Sequence, residues 1–180
     1  MTTDTPAVTN GAARAAAARR GAAARVLFVH PSDELYGADV VLLNLLRGLD
    51  RDRFRPLVVV ANDLPYEGLL SRELAASGIE CRKLPVAVAR RAYLSPRGLP
   101  GFAVRLRRSV ALLARIVAEE GVDLVVSNTL AVWPGALAAR QTGRPHLWYV
   151  HELIERPRPL AVLLRRFVPA YSDRIICVSQ

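Results

Sequence analysis

Lysine is nearly missing from this chain: Lys83 stands alone among 25 basic residues, and every other one is arginine. Cysteine is scarce too. Cys81 and Cys177 lie far apart, each in an apolar strand-like run. Two such residues make no disulfide framework; they read as buried free thiols, and a reducing cytoplasm suits them. No apolar run reaches the ~18 residues that a membrane span needs. The N-terminus lacks the apolar stretch of a signal peptide, so the expected location is cytoplasmic. Aromatics make up only 6%, too few for a base-stacking surface, and no nucleic-acid motif accompanies the positive charge, so a nucleic-acid partner is excluded. No His, Cys, Asp and Glu fall at metal-ligand spacing, and no metal is expected. The dinucleotide fingerprint, the Walker loop and the Gly-x-Ser-x-Gly elbow are all missing.

What is present is globular. The composition is 52% hydrophobic and 23% charged over 180 residues, enough for one domain with a real core. The net charge of +9 favours polyanions, whether anionic lipid or phosphorylated small molecules. Residues 1–24 are mainly Ala, Arg, Thr and Gly with almost no large apolar side chain. They have nothing to bury and read as a disordered tail. The ordered domain is expected over residues 25–180.

From Arg25 onward, apolar runs alternate with segments of helical period. Strands are expected at Val26–Val29, Leu57–Val60, Ile79–Leu84, Leu124–Val126, His146–Val150 and Arg174–Val178. Helices are expected at Ala38–Leu49, Glu67–Ala76, Phe102–Glu119, Pro134–Gln141 and Leu160–Val168. Short β-branched runs, apolar on both faces, are how central parallel strands read. Their alternation with helices implies an α/β fold, a doubly wound, Rossmann-like parallel sheet of about six strands in the order 3-2-1-4-5-6. Ligands of such sheets collect at the carboxyl ends of the strands.

Those ends carry HPSDELYGAD, NDLP, SNTLAVWPG, HELIE and SQ. Gly37 would allow a phosphate close to a helix start, but a single glycine reads first as a turn residue. His151, with Glu152 beside it, leaves strand five where an imidazole can meet a sugar hydroxyl or move a proton; in isolation it reads as a loop histidine. His30 is followed at once by Pro31 and reads as a turn element. His146 begins a strand at the opposite edge and is set aside.

Four stretches, RVLFVHPSDELYGADVVLLNLLRGL, DLVVSNTLAVWPGALAAR, LWYVHE and SDRIICVSQ, come in an order that resembles the N-terminal domain of family 4 glycosyltransferases. These are retaining, nucleotide-sugar-dependent enzymes of the two-domain GT-B fold. The resemblance implies that this chain is the N-terminal half of such a fold. The family's Gly-Gly-x-Glu loop corresponds to Tyr36-Gly37-Ala38-Asp39, which implies that Gly37 lies near the donor phosphates. Tyr36 replaces the first glycine and narrows the space beside the loop. Asp39 keeps the acidic position, where the helix dipole also favours it. The family's His-Asp pair corresponds to His151-Glu152 and implies that His151 contacts the donor sugar. Asn128, Thr129 and Ser179 fall where donor or acceptor contacts occur.

The implied substrates are a nucleotide-diphosphate sugar and an acceptor glycan or lipid, with no cofactor and no metal. In this family a second domain holds the nucleotide through two glutamates eight positions apart, a spacing that no pair of glutamates shows here. A separate C-terminal domain partner is therefore expected, and the chain alone is expected to be inactive. The alternatives are a non-catalytic module that binds acceptor or membrane, or half of another GT-B enzyme such as a nucleotide-sugar epimerase. Between Arg90 and Arg115 stand seven arginines and no acid, interleaved with apolar residues, and ERPRPLAVLLRRF repeats the chemistry. Such segments can lie on an anionic membrane, which would place the protein peripherally on the inner face.

Overall fold

The computed structural model describes residues 22–90, 93, 95, 97–151 and 158–178. Most of the expected tail lies outside the described residues. Strand β1 spans Ala24–His30 and helix α1 Gly37–Arg47. They are followed by β2 Phe54–Ala61, α2 Leu69–Ala76 and β3 Glu80–Leu84. Next come α3 Leu99–Glu119, β4 Leu124–Asn128 and α4 Trp133–Thr142. The last three are β5 His146–Val150, α5 Arg158–Ala170 and β6 Arg174–Cys177. The six strands form one parallel sheet in the order β3-β2-β1-β4-β5-β6, as expected.

Alternation along each strand explains how the sheet is covered, because successive side chains leave by opposite faces. Leu27, Val29, Leu57, Val59 and Val125 pack against Leu113, Ile116 and Val117 of α3 and Ala138 and Ala139 of α4. Val26, Phe28, Val58, Val60 and Val126 meet Leu42, Leu43 and Leu46 of α1 and Leu70 and Leu74 of α2 on the other side. Both faces are apolar because both carry helices. Each fully buried Leu or Val stabilises this arrangement by about 1.5–3 kcal/mol relative to exposure. A third cluster joins Trp148 and Ala136 to Leu164 and Val168 of α5.

Gly135 explains how closely α4 sits. A Cβ there would run into Ser127 Oγ and lie 3.3 Å from Val29 Cγ2, so only glycine lets the start of α4 rest on the ends of β1 and β4. The sheet edge departs from the sequence expectation. All four residues of β6 are exposed, and Cys177 is exposed while Cys81 is partly buried; both are free thiols. An edge strand has a neighbour on one side only, so its apolar residues are not enclosed merely by being apolar.

Candidate active site at the carboxyl edge of the sheet

Strand register decides which polar groups meet. Val29 of β1 pairs with Ser127 of β4, so His30 and Asn128 emerge side by side although 98 residues separate them. Asn128 in turn pairs with Tyr149 of β5, and His151 leaves the sheet two residues later. The loop from β1 returns into α1, whose third residue, Asp39, comes back over His30.

The result is a continuous polar chain. Asp39 Oδ1 lies 2.5 Å from His30 Nε2. His30 Nδ1 lies 2.7 Å from Asn128 Nδ2, and Asn128 Oδ1 lies 2.8 Å from His151 Nε2. His30, Asp39 and Asn128 are all buried, and His151 is half-buried with its ring 4.4 Å from that of Tyr149. Ser32 Oγ donates to Asp39 Oδ1 at 2.5 Å, and the Tyr36 amide donates to Oδ2 at 2.9 Å. Burial works against the Asp39 carboxylate. Hydrogen bonds from His30, Ser32 and the Tyr36 amide outweigh it and hold the pKa below the ordinary carboxylate value. The His151 pKa is lowered, chiefly by burial.

His30 is the main correction. It is no turn element but the centre of this chain, completely buried and bonded through both ring nitrogens. Thr129, directly after Asn128, has a φ of +84°, an uncommon conformation for a β-branched residue and one that clusters at functional sites. Its carbonyl accepts from Trp148 Nε1 at 2.8 Å, and its amide donates to the Tyr149 carbonyl at 2.8 Å. These bonds fix the backbone beside Asn128.

Gly37 is the first residue of α1, with no left-handed φ, so it is not a turn glycine. A Cβ there would meet nothing within 4 Å outside its two chain neighbours, and the neighbouring Tyr36 is 76% exposed. The amides of Gly37 and Ala38 open the helix, where the α-helical pattern supplies no acceptor. Glu152 and Ser179 lie outside the described residues.

The β1–α1 loop is braced from the neighbouring strand ends. The Pro31 carbonyl accepts from Tyr66 Oη at 2.9 Å and from Arg90 Nη2 at 3.1 Å. Arg90 also forms a two-pronged pair with Asp63 at 2.7 and 3.0 Å. Arg90 therefore faces inward and is not part of an outward basic surface. Asp33, also buried, accepts from the Ser71 amide and hydroxyl and pairs with Lys83 at 2.7 Å. In this way it fastens the same loop to the start of α2. Among the described residues, the expected basic segment keeps Arg97, Arg105, Arg107, Arg108 and Arg115 exposed. The Arg105 guanidinium stacks 4.3 Å above the Tyr93 ring.

A family model described as Glycosyltransferase Family 4 matches residues 35–180. Over 92 residues the chain is 38% identical to UDP-N-acetylglucosamine--N-acetylmuramyl-(pentapeptide) pyrophosphoryl-undecaprenol N-acetylglucosamine transferase of Acidothermus cellulolyticus, an alignment covering 50% of this chain and 24% of that protein. A glycosyltransferase from Rickettsia africae superposes with a TM-score of 0.62 at 17% identity, over 87% of this chain and 37% of that one. A UDP-GlcNAc 2-epimerase from Neisseria meningitidis, solved with UDP-GlcNAc, gives 0.56 at 15% identity, over 83% and 39%. The two superpositions speak for the GT-B half-fold alone, and the chain spans well under half the length of each of these proteins. The family match covers most of the chain and includes α1, Asn128 and His151: the protein belongs to glycosyltransferase family 4.

Proposed function

We propose that this chain forms one wall of a donor site from which a sugar passes from a nucleotide diphosphate to an acceptor hydroxyl with retention. The observation that carries the proposal is the buried chain from Asp39 through His30 and Asn128 to His151, which opens at the carboxyl edge of the sheet. In the reaction the anomeric carbon–oxygen bond to the diphosphate breaks and a bond to the acceptor oxygen forms. The acceptor proton leaves toward the departing phosphate. The growing negative charge on that phosphate is stabilised by the first amides of α1, at Gly37 and Ala38, and by the helix dipole. His151 borders the sugar and orders its hydroxyls. Asn128, Thr129 and the rim residue Tyr36 shape the wall, and Asp39 holds the chain from beneath. A second domain, on this chain or a partner, closes the cleft and excludes water.

The transferase relative's own reaction makes UDP-N-acetylglucosamine the first donor to test, with a polyprenyl-diphosphate-linked sugar as the first acceptor. No helix among the described residues is long and apolar enough to cross a membrane; surface docking is the route to such an acceptor that the reading takes. Two helices supply apolar and basic groups for it. Leu99 and Val104 are exposed on α3 beside Arg105, Arg107 and Arg108, and Val162 and Leu163 are exposed on α5 beside Arg165 and Arg166. Phe102 of α3 and Phe167 of α5 both pack on Trp133, at 5.6 and 5.5 Å, which makes the two helices neighbours.

The deciding assay supplies the chain with a family C-terminal domain and follows both transfer and epimerisation of the donor. Transfer that is lost in His151→Ala is the expected result. Epimerised donor without transfer would favour the epimerase reading, and unchanged turnover in His151→Ala would remove the role given to His151. Cosedimentation with anionic vesicles at low salt tests docking, and no binding would remove that part.

A further inference from the structure

We infer that Asn128 and His30 are positioning residues that fix the protons of His151, so that its Nε2–H points into the protein and its Nδ1 lone pair is the face offered to a ligand hydroxyl. The inference rests on the donor-wall reading for what it means, but not for how it is tested.

The assignment follows from which atoms can donate. An amide nitrogen only donates and an amide oxygen only accepts. Asn128 Nδ2, 2.7 Å from His30 Nδ1, therefore requires an unprotonated Nδ1. The one proton of a neutral His30 then sits on Nε2, 2.5 Å from Asp39 Oδ1, where it donates to the carboxylate. At the other end, Asn128 Oδ1 lies 2.8 Å from His151 Nε2, so that nitrogen must carry a proton. Every bond then runs in one sense, from His151 through Asn128 and His30 to Asp39. Ser32 Oγ and the Tyr36 amide also donate to that carboxylate, which anchors the direction.

The opposite sense requires an inverted Asn128 amide and an imidazolium at His30, which is 0% exposed. The first arrangement satisfies every group as the atoms lie, with a neutral ring and with the Ser32 and Tyr36 donors on the carboxylate. Among the described residues, His151 Nδ1 has no hydrogen-bond partner. Such a nitrogen accepts from a hydroxyl and cannot donate to one. Ligands are therefore selected for a hydroxyl able to give its proton at that point, and a deoxy or O-methyl sugar is disfavoured there.

The chain holds three histidines, so an imidazole ¹⁵N spectrum of the whole protein contains few signals. The expected spectrum at neutral pH has His151 and His30 each protonated at Nε2 alone. Asn128→Asp keeps the shape but replaces the donor by a second acceptor. It is expected to bring a proton onto His30 Nδ1 while His151 keeps its Nε2–H. Unchanged His146 signals report that the variant is folded. His151 protonated at Nδ1 in the wild type, or His30 unaltered in a folded Asn128→Asp, would overturn the inference. Should the variant fail to fold, the wild-type spectrum still decides. No donor or acceptor is present in this experiment, so a failure of the transferase reading and a failure of the proton assignment are seen separately.

Discussion

The two edges of the sheet treat their charges in opposite ways. At the amino edge, Arg25 at the start of β1 pairs with Glu80 at 2.5 Å and with Glu120 at 3.1 Å. Arg82 joins the same two carboxylates. This is a closed, alternating cluster in contact with water, and its chemistry ends with itself. His146 at that edge is buried, reaches Ser127 Oγ at 3.0 Å and makes no hydrogen bond through Nδ1. At the carboxyl edge the charge lies inside and the partners form a line rather than a ring. The line leads from buried Asp39 to half-buried His151. One pattern fastens strand ends together. The other delivers an oriented imidazole to a surface, with a strained Thr129 beside it.

The contrast breaks most visibly at Asp39. Asp39→Ala takes the acceptor from three donors, on His30, Ser32 and the Tyr36 main chain, and at about 1–3 kcal/mol for each donor left unpaired is expected to lower stability by about 3–5 kcal/mol in urea denaturation. Values near those of a surface pair would mean that the buried line has no energetic weight.

Acid sharpens the contrast next. Burial lowers the His146 pKa to about 4, against smaller pulls from the nearby Tyr171 main chain and Asp173. Between the ordinary histidine pKa and that value the unfolded chain binds a proton that the folded chain refuses. Stability is therefore lost as pH falls through this window, by roughly 3 kcal/mol for this group. Asp39, whose pKa is depressed, keeps its contribution until pH falls through its lower folded value. Unfolding followed at pH 7 and near pH 4.5 should show the loss in wild type and much less of it in His146→Gln.

The smallest effect belongs to the amino-edge cluster. Glu120→Ala is expected to change stability by less than about 1 kcal/mol, and by less again in high salt. A loss comparable to that of Asp39→Ala would erase the distinction between the edges.

Much of the fold could be read from local pattern. Apolar β-branched runs between helical periods marked all six strands, and the doubly wound rule ordered them. Position at a strand end or helix start singles out His151 and Gly37, but only the family resemblance gives a role to them and to Asp39, Asn128 and Thr129. Pro31 directly after His30 suggests a turn, and the turn reading hides the role of His30. Here proline instead favours an extended residue before it, which carries the strand as far as His30. The partners that give His30 its meaning lie on α1 and on β4, and only the register of the folded sheet brings them together. Arg90 is hidden in a similar way: an arginine in a basic run looks solvated, and its partner Asp63 comes from the end of another strand. The apolar strand around Cys177 predicts burial, but that pattern does not distinguish an edge from a centre, and Cys177 is exposed.

The most direct test of the account is to supply the ¹⁵N-histidine-labelled protein with a family C-terminal domain, titrate with millimolar nucleotide-diphosphate sugars and follow the three imidazoles. The account requires His151 to shift, His30 to respond through Asn128, and His146 to stay where it is. A shift at His146 with His151 unmoved, or no shift at either, would contradict the assignment of the donor wall to the carboxyl edge.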